Sequence, residues 1–280
     1  MQANKIASAI KSFPGMPGTA VKLLGLIDDS AMRVSQIEEI LRHDPGLTAN
    51  VLRMANSAYF GIPSKVGSIR QAVILLGLKR LIQMVIAACV SAIMDKSVPG
   101  YDLPPGELWR HSIAASVAAE GLVKVLKVEA AEEIFTAALL HDVGKLVLGD
   151  FVKDEFKQIE TAVSQGISFE MAEKIVLGTN HADVGARILT KWLLPPEIIN
   201  AVQFHHAPEA SERISSMLDI VHVANFISMM IGIGIGRDGL QHEPSVEVTE
   251  RLGLEPSHLE KVASQTMQWV KEFNEVMNPG

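Results

Sequence analysis

The feature that most constrains the fold of this chain is a succession of short apolar stripes at helical spacing. Apolar side chains recur every three or four residues, and the first stripe consists of Ala20, Leu23, Leu24 and Ile27. Two more follow, at Val34, Ile37, Ile40 and Leu41 and at Leu47, Val51, Leu52 and Ala55. This spacing places each set on one face of a helix. Sustained alternation of apolar and polar residues, which marks a half-buried strand, is absent, so the pattern predicts an all-α fold.

Residues that begin and end helices separate these stripes. Asp44 can cap a helix whose first residue is Pro45, and Ser68 can cap the next helix. Gly77 then interrupts the chain before the apolar segment Leu78–Met94. Short connections of this kind are typical of a compact bundle of several helices.

Composition agrees with a helical fold and excludes some classes of function. Hydrophobic residues make up 48% of the chain but aromatic residues only 5%, which favours packed helices over a β-sandwich. The net charge is −7 without a compensating basic cluster, so nucleic-acid binding through charge is not expected. The longest uncharged run, Ile220–Gly236, is shorter than the roughly 20 residues of a membrane helix. We therefore expect a soluble, cytoplasmic protein without a membrane partner.

The single cysteine, Cys89, lies in the apolar run Met84–Ile93. It cannot form an internal disulfide, and its usage suits a reducing cytosol. We expect a small buried core residue, with a reactive thiol as the alternative.

A segment rich in proline and glycine, Lys96–Gly106, has the composition of a linker. His43 is the only histidine before it, and the other eight histidines follow it. The sequence therefore predicts an N-terminal helical subdomain over residues 1–100 and a histidine-rich helical subdomain, with further C-terminal helices, over residues 101–280. Inside the second region, Ile231–Gly239 is interpreted as a flexible break. It is not a phosphate loop, because it lacks the lysine followed by Ser/Thr that such a loop requires and no strand precedes it.

Six residues of the second region have side chains that suit divalent first-row metals: His111, His141, Asp142, His181, His205 and His206. Adjacent helical residues diverge by about 100°, so His141 can bind one metal while Asp142 bridges toward a second. His111 would complete the first site, and the remaining histidines would serve the second. Spacing alone leaves open the alternative of hydrogen-bonded core histidines, because no tight Cys/His clamp is present.

Lys145 follows His141 by four residues, so the two share a helix face. A cation at this position can contact a phosphate oxygen. The alternative is a solvated charge at a helix end.

The segment Ala138–Lys145, ALLHDVGK, resembles the motif that gives the HD phosphohydrolase superfamily its name. The resemblance implies that His111 is the upstream metal ligand and that His141 and Asp142 are the central pair. It also implies that His181, His205 and His206 match the further histidines of two-metal members. The downstream aspartate of the superfamily aligns with Asn225, a neutral and weaker ligand. His222, one turn earlier on the same helix face, is the alternative ligand.

Motifs in the N-terminal region are similar to those of one branch, the HDOD family: Phe13–Pro17, Asp44–Arg53, Ala55–Phe60 and Ser68–Val73. With Trp192–Pro195, the resemblance extends from about Ser12 to Asn225. It implies an HD-type helical bundle with an N-terminal helical subdomain and a role in bacterial signalling or regulation. Members of this family often lack metal ligands, whereas this chain keeps most of them.

Two functions are therefore expected from the sequence. The first is an HDOD-type signalling or regulatory protein with a retained metal site, weakly catalytic or non-catalytic, acting through signalling proteins as partners. The alternative is a metal-dependent phosphohydrolase or phosphodiesterase for a nucleotide or other phosphate ester, in which Asp142 and Lys145 take part in catalysis. Either would hold a divalent transition metal, or a binuclear pair, of Fe, Mn, Ni, Co or Zn. Ala207-Pro208-Glu209 follows the His205-His206 pair, so the motif of the HD-GYP phosphodiesterases is missing.

Overall fold

The computed structural model describes residues 2–24, 33–57, 62, 65–129, 133–239 and 244–277, and helices joined by turns and loops make up these ranges. Within these ranges there is no β-strand, and the β pairing consists of an isolated antiparallel bridge between Val98 and Leu103. The all-α prediction is confirmed. Among the same residues, every helix is too short or too polar to cross a membrane.

The chain forms two compact units. Unit 1 combines Met1–Gly15 with Met94–Thr266, and unit 2 combines Met16–Ile93 with Met267–Gly280. Each unit thus consists of two separate segments of the chain, so a single boundary in the sequence does not separate the two units. The subdomain boundary placed at residue 100 stays a prediction.

Unit 2 contains the helices that the N-terminal stripes predict: α2 (Gly18–Leu24), α3 (Val34–Arg42), α4 (Pro45–Ala55), α5 (Ile69–Leu76) and most of α6 (Leu78–Met94). The two predicted caps are present. The Asp44 carboxylate accepts from the Leu47 N–H at 2.9 Å, and the Ser68 hydroxyl accepts from the Gln71 N–H at 3.1 Å. Cys89 is buried, and burial raises the pKa of its thiol to about 12, as expected for an inert core residue.

Two sequence assignments in this unit lie outside the described residues. They are Ile27, at the end of the first apolar stripe, and residues 58–60, at the end of the Ala55–Phe60 motif.

Unit 1 contains α1 (Gln2–Ser12), α7 (Glu107–Leu126), α8 (Ile134–Leu140), α9 (Lys145–Asp154), α10 (Phe156–Ser164), α11 (Phe169–Leu177), α12 (His181–Lys191), α13 (Pro196–Phe204), α14 (Ser216–Met230) and α15 (Val246–Leu252). Helix α16 (Pro256–Met277) begins in unit 1 and ends in unit 2. Short 3-10 turns form at Pro99–Tyr101 and Pro208–Ala210.

Helices α7 and α14 form the centre of unit 1, where both pack against α8 and against each other. Both are buried on nearly all sides, and α7 includes fully buried alanines such as Ala114 and Ala118. His111 on α7 and Asn225 on α14 are polar exceptions on these buried helices. Because buried polar groups are costly without partners, their side chains must be satisfied inside the core.

The approach of α9 to α12 depends on Gly144. A Cβ atom added there would lie 1.9 Å from the carbonyl oxygen of His181 and 2.6 Å from the Gly185 nitrogen. Any side chain would therefore push the two segments apart. Glycine at this position lets the turn that carries His141 and Asp142 lie directly against the start of α12.

We predict that Gly144→Ala lowers the free energy of unfolding by about 1–3 kcal/mol or more, because the added methyl group collides with backbone atoms. Urea denaturation followed by circular dichroism measures this change. The matched control is Gly15→Ala, where an added Cβ has no atom within 4 Å. Equal stability of the two variants would contradict the packing described here.

Candidate metal centre

A single buried carboxylate, that of Asp142, lies at the centre of the predicted histidine set. Its exposed fraction is 0%. Oδ2 lies 3.3 Å from His141 Nε2 and 3.5 Å from His111 Nε2. Oδ1 lies 3.5 Å from His181 Nε2 and 3.8 Å from His205 Nε2. Each carboxylate oxygen thus faces its own pair of imidazoles.

Helix ends from distant parts of unit 1 bring these side chains together. His141 and Asp142 follow α8, and His205 and His206 follow α13. The Asn180 side chain caps α12 by accepting from the Asp183 N–H at 2.8 Å, which makes His181 the first residue of that helix. In contrast, His111 projects from within α7. The centre therefore depends on how the helices pack and not on one local motif.

The donor atoms form two groups that share Asp142. Site one consists of His111, His141 and Asp142, and site two consists of Asp142, His181, His205 and His206. Within each group the potential ligand atoms lie within 4.8 Å of one another. The structure thus brings together all six residues that the sequence predicts as ligands, and their binding of metal stays a prediction.

Three buried polar atoms of these two sites have no hydrogen-bond partner among the described residues: His141 Nε2, Asp142 Oδ1 and His205 Nε2. Buried polar atoms are nearly always paired, because leaving one unsatisfied costs about 1–3 kcal/mol. Each of these atoms belongs to a residue that can donate to a cation. The chemistry of the donor set and these unpaired atoms therefore fit a divalent cation in each site.

Backbone carbonyl groups fix the orientation of three of the imidazoles. The Nδ1 atoms of His111, His141 and His205 lie 3.0, 2.7 and 2.7 Å from the carbonyl oxygens of Ile233, Ala138 and Val202, respectively. A carbonyl accepts only, so each Nδ1 carries the proton and donates. Each Nε2 of the neutral imidazoles then keeps a lone pair available for a metal, and for His111 this lone pair faces a second acceptor, Asn225 Oδ1, at 2.9 Å.

Glu173 orients His181, the fourth imidazole next to Asp142. This carboxylate was not identified from the sequence. Glu173 Oε2 accepts from both the backbone N–H and Nδ1 of His181, each at 2.8 Å. Glu173 Oε1 in turn accepts from the Tyr101 hydroxyl at 2.6 Å. Burial alone would lower the pKa of His181, but the Glu173 charge raises it. Carboxylate–histidine pairs of this type hold metal ligands in place.

For Asp142, His111 and His205 the electrostatics favour the protonation states that a metal requires. Burial lowers the pKa of His111 and lowers that of His205 still further. Burial would raise the pKa of Asp142, but His141 and Lys145 hold it well below its usual value. At neutral pH the central carboxylate is therefore ionised while these two imidazoles are neutral.

Asn225 lies beside site one, whereas His222 bonds to the backbone. Asn225 Oδ1 is 2.9 Å from His111 Nε2. His222 Nδ1 donates to the His205 carbonyl at 2.7 Å, and His222 Nε2 accepts from the Ser245 N–H at 2.9 Å. Of the two additional ligands considered from the sequence, Asn225 is the one that this geometry favours.

Lys145 is buried between two carboxylates. Its ammonium nitrogen lies 2.6 Å from Asp142 Oδ2 and 2.5 Å from Asp238 Oδ2. Burial lowers the pKa of Lys145, but the charges of Asp142 and Asp238 raise it above the usual value. A phosphate contact by Lys145, as predicted from the sequence, would require at least one of these ion pairs to open.

Asp238 belongs to the Ile231–Gly239 segment. The interpretation of this segment as a flexible break did not predict that it contacts Lys145, His111 and Tyr101. The Ile233 carbonyl accepts from His111, and the Arg237 N–H donates to the Tyr101 carbonyl at 3.0 Å. Gly234 has φ +57°, and a Cβ atom there would lie 2.6 Å from that of His111. The closely spaced glycines of this segment are the sequence feature that could have indicated these contacts, because glycine permits a close approach of the backbone to the site.

Glu173→Ala should lower the affinity for a divalent cation about 10–100-fold, since His181 loses the partner that orients it. Competition with a chromogenic chelator measures this affinity in the metal-free protein. Glu160→Ala, at an exposed position of α10, is the matched control and should leave the affinity unchanged. Unchanged affinity in the Glu173 variant would rule out this positioning role.

Comparison with known proteins finds a family model that matches most of the chain. The sequence model of the HDOD domain matches residues 13–208. A protein of Treponema pallidum (strain Nichols), described only as uncharacterized, is 26% identical over 226 residues. That match covers 80% of this chain and 43% of the Treponema protein, so the chain spans less than half of that relative.

Solved structures share the fold over nearly the full length. An HDOD domain protein of unknown function from Geobacter sulfurreducens superposes with a TM-score of 0.80 at 24% identity, covering 98% of this chain and 97% of the other. A Shewanella amazonensis SB2B protein, provisionally described as a phosphohydrolase, has a TM-score of 0.73 at 27% identity. Here the coverage is 96% of this chain and 97% of the other.

Proposed function

The chain belongs to the HDOD domain family, and we propose that it is a bacterial signalling or regulatory protein of that family with a retained metal centre and weak or no catalytic activity. The observation that carries this proposal is the carboxylate of Asp142, shared by two groups of histidines and buried with unpaired donor atoms around it. Signalling proteins as partners and a cytoplasmic location are parts of the same proposal.

The metal centre that we propose holds a divalent transition metal, and at full occupancy a pair. Imidazole-rich sites with one carboxylate suit Fe, Mn, Ni, Co or Zn. His111, His141, Asp142 and Asn225 would hold one cation, and the site-two residues would hold the other. When bound, these cations would supply charge and Lewis acidity. The chain itself fixes the tautomers, excludes water by burial and keeps Asp142 ionised.

Two features support weak or absent catalysis. Asn225 is a neutral amide at the position where the superfamily resemblance implies an aspartate, so site one has one negative charge fewer. In addition, the centre is closed, since Asp142 is 0% and Lys145 only 5% exposed. A phosphate ester would have to reach atoms that the packed helices cover, and productive hydrolysis requires access as well as charge.

Elemental analysis of protein purified without a histidine tag should find at least substoichiometric transition metal. Asp142→Ala should lose most of it, because both sites share that carboxylate. Asp150→Ala, at an exposed position of α9, serves as the control and should retain it. Metal-free protein after growth with ample metal would count against the proposal.

Catalysis is tested with a panel of cyclic and linear phosphodiesters, nucleotides and simple phosphate monoesters. We expect turnover to be absent or very low, and Asn225→Asp to raise metal occupancy by restoring a charged ligand at site one. Robust turnover by the unmodified protein that is abolished by His141→Ala would overturn the regulatory proposal.

The second candidate function is a metal-dependent phosphohydrolase acting on a nucleotide or other phosphate ester. It is favoured by the two donor groups around one carboxylate, because two-metal hydrolases stabilise attacking and leaving oxygens with such a pair. The provisional description of the Shewanella protein agrees with this candidate. In this case Asp142 would hold the catalytic metals and Lys145 would contact the phosphate after leaving its carboxylate partners.

A further inference from the structure

The two oxygens of Asp142 differ in a way that the metal sites do not explain. Oδ2, the oxygen that faces His111 and His141, accepts a 2.6 Å charged hydrogen bond from Lys145. Oδ1, which faces His181 and His205, has no hydrogen-bond partner among the described residues. The Lys145 ammonium group therefore occupies Oδ2 of the shared carboxylate, whereas Oδ1 is available to a metal.

Asp238 is a second ion-pair partner of Lys145. Its Oδ2 lies 2.5 Å from the ammonium nitrogen, and both side chains are buried. An unpaired ammonium group in a protein core is very unfavourable, so Lys145 could not leave Asp142 without another carboxylate nearby. Asp238 provides that carboxylate and can keep the ammonium group when Asp142 is taken by a metal.

We propose that Lys145 and Asp238 form an ammonium latch that controls the loading of site one, an inference that rests on the proposed metal centre. With the latch closed, Lys145 occupies Asp142 Oδ2. A divalent cation can bind site one only when it displaces this ammonium group, which then stays on Asp238. Site two uses Oδ1 and is not blocked.

Unequal occupancy of the two sites follows from this latch. The first cation binds at site two, where Asp142 Oδ1 and His205 Nε2 have no hydrogen-bond partner among the described residues and where it replaces the 2.8 Å contact between His181 Nε2 and His206 Nε2. The second cation binds more weakly, because it must break a charge-assisted hydrogen bond and remain close to the displaced ammonium group. The state of site one then depends on the metal concentration, which is a property that a regulatory protein can use.

The double variant Lys145→Met/Asp238→Asn tests the latch without changing the net charge. It removes the competing cation together with its second partner and leaves every proposed metal ligand in place. Metal-free full-length protein is titrated with Zn²⁺ in a calorimeter. We expect two unequal binding events in the unmodified protein. In the double variant the Kd of the weaker binding event should fall about tenfold or more, because the charged group that competes with the cation is removed. The Kd of the stronger event should be unchanged.

Three further variants assign the effect. Adding His111→Ala to the double variant should abolish the tightened event, because His111 belongs to site one only. Asp238→Asn alone should weaken the second event further, since the displaced ammonium group then has no carboxylate to receive it, and this variant also serves if the double variant does not fold. Lys153→Met, at an exposed position of the same helix, is the control and should behave like the unmodified protein.

The outcomes separate the latch from the metal centre. If the unmodified protein binds two cations and the double variant binds neither of them more tightly, the latch is wrong and the metal centre stands. The same holds if both events tighten equally. If neither protein binds Zn²⁺, the metal centre fails and the latch fails with it. Binding of one cation by the unmodified protein and two by the double variant supports both.

Discussion

The rest of unit 1 depends on one constraint, which is that the buried, ionised carboxylate of Asp142 must be surrounded by groups that compensate its charge. This carboxylate is completely buried, and it is the point where the ends of α8, α12 and α13 meet the side of α7. Burying a charge is unfavourable unless it is paired, so these helices can pack around it only with compensating groups. Four imidazoles and the Lys145 ammonium group lie within 4 Å of its two oxygens. The same groups that make the fold possible are therefore the groups that make a metal centre possible.

The surrounding chain holds this arrangement by close backbone approach and by buried hydrogen bonds. Gly144 lets the turn containing Asp142 lie against α12, and Gly234 lets the segment after α14 lie against His111. Glu173 connects His181 to the Tyr101 hydroxyl, so the 3-10 turn at Pro99–Tyr101 contributes to the position of a site-two ligand. A change in any of these supports would alter the donor positions without replacing a ligand.

The sequence predicted the parts of this structure that follow from local rules. Helical periodicity gave the all-α class, and the caps at Asp44 and Ser68 followed from their side-chain chemistry. The histidine set was found because imidazole and carboxylate groups suit divalent metals and because Ala138–Lys145 resembles the HD motif. Glu173 was missed because a glutamate in an amphipathic helix is ordinarily solvated, and its hydrogen bond to Tyr101 spans 72 positions. Asp238 was missed because only tertiary packing brings a glycine-rich segment against Lys145.

The location of bound metal relative to Asp142 is the most direct test of the central role of this carboxylate. Crystals grown with saturating Zn²⁺ give anomalous scattering at the zinc absorption edge, which places each cation without reference to activity. We expect two peaks, one about 2.0–2.2 Å from each oxygen of Asp142, with Lys145 bonded to Asp238 alone. Zinc elsewhere on the protein, or Asp142 without a bound cation while Lys145 remains on Oδ2, would contradict a metal centre built on a shared carboxylate.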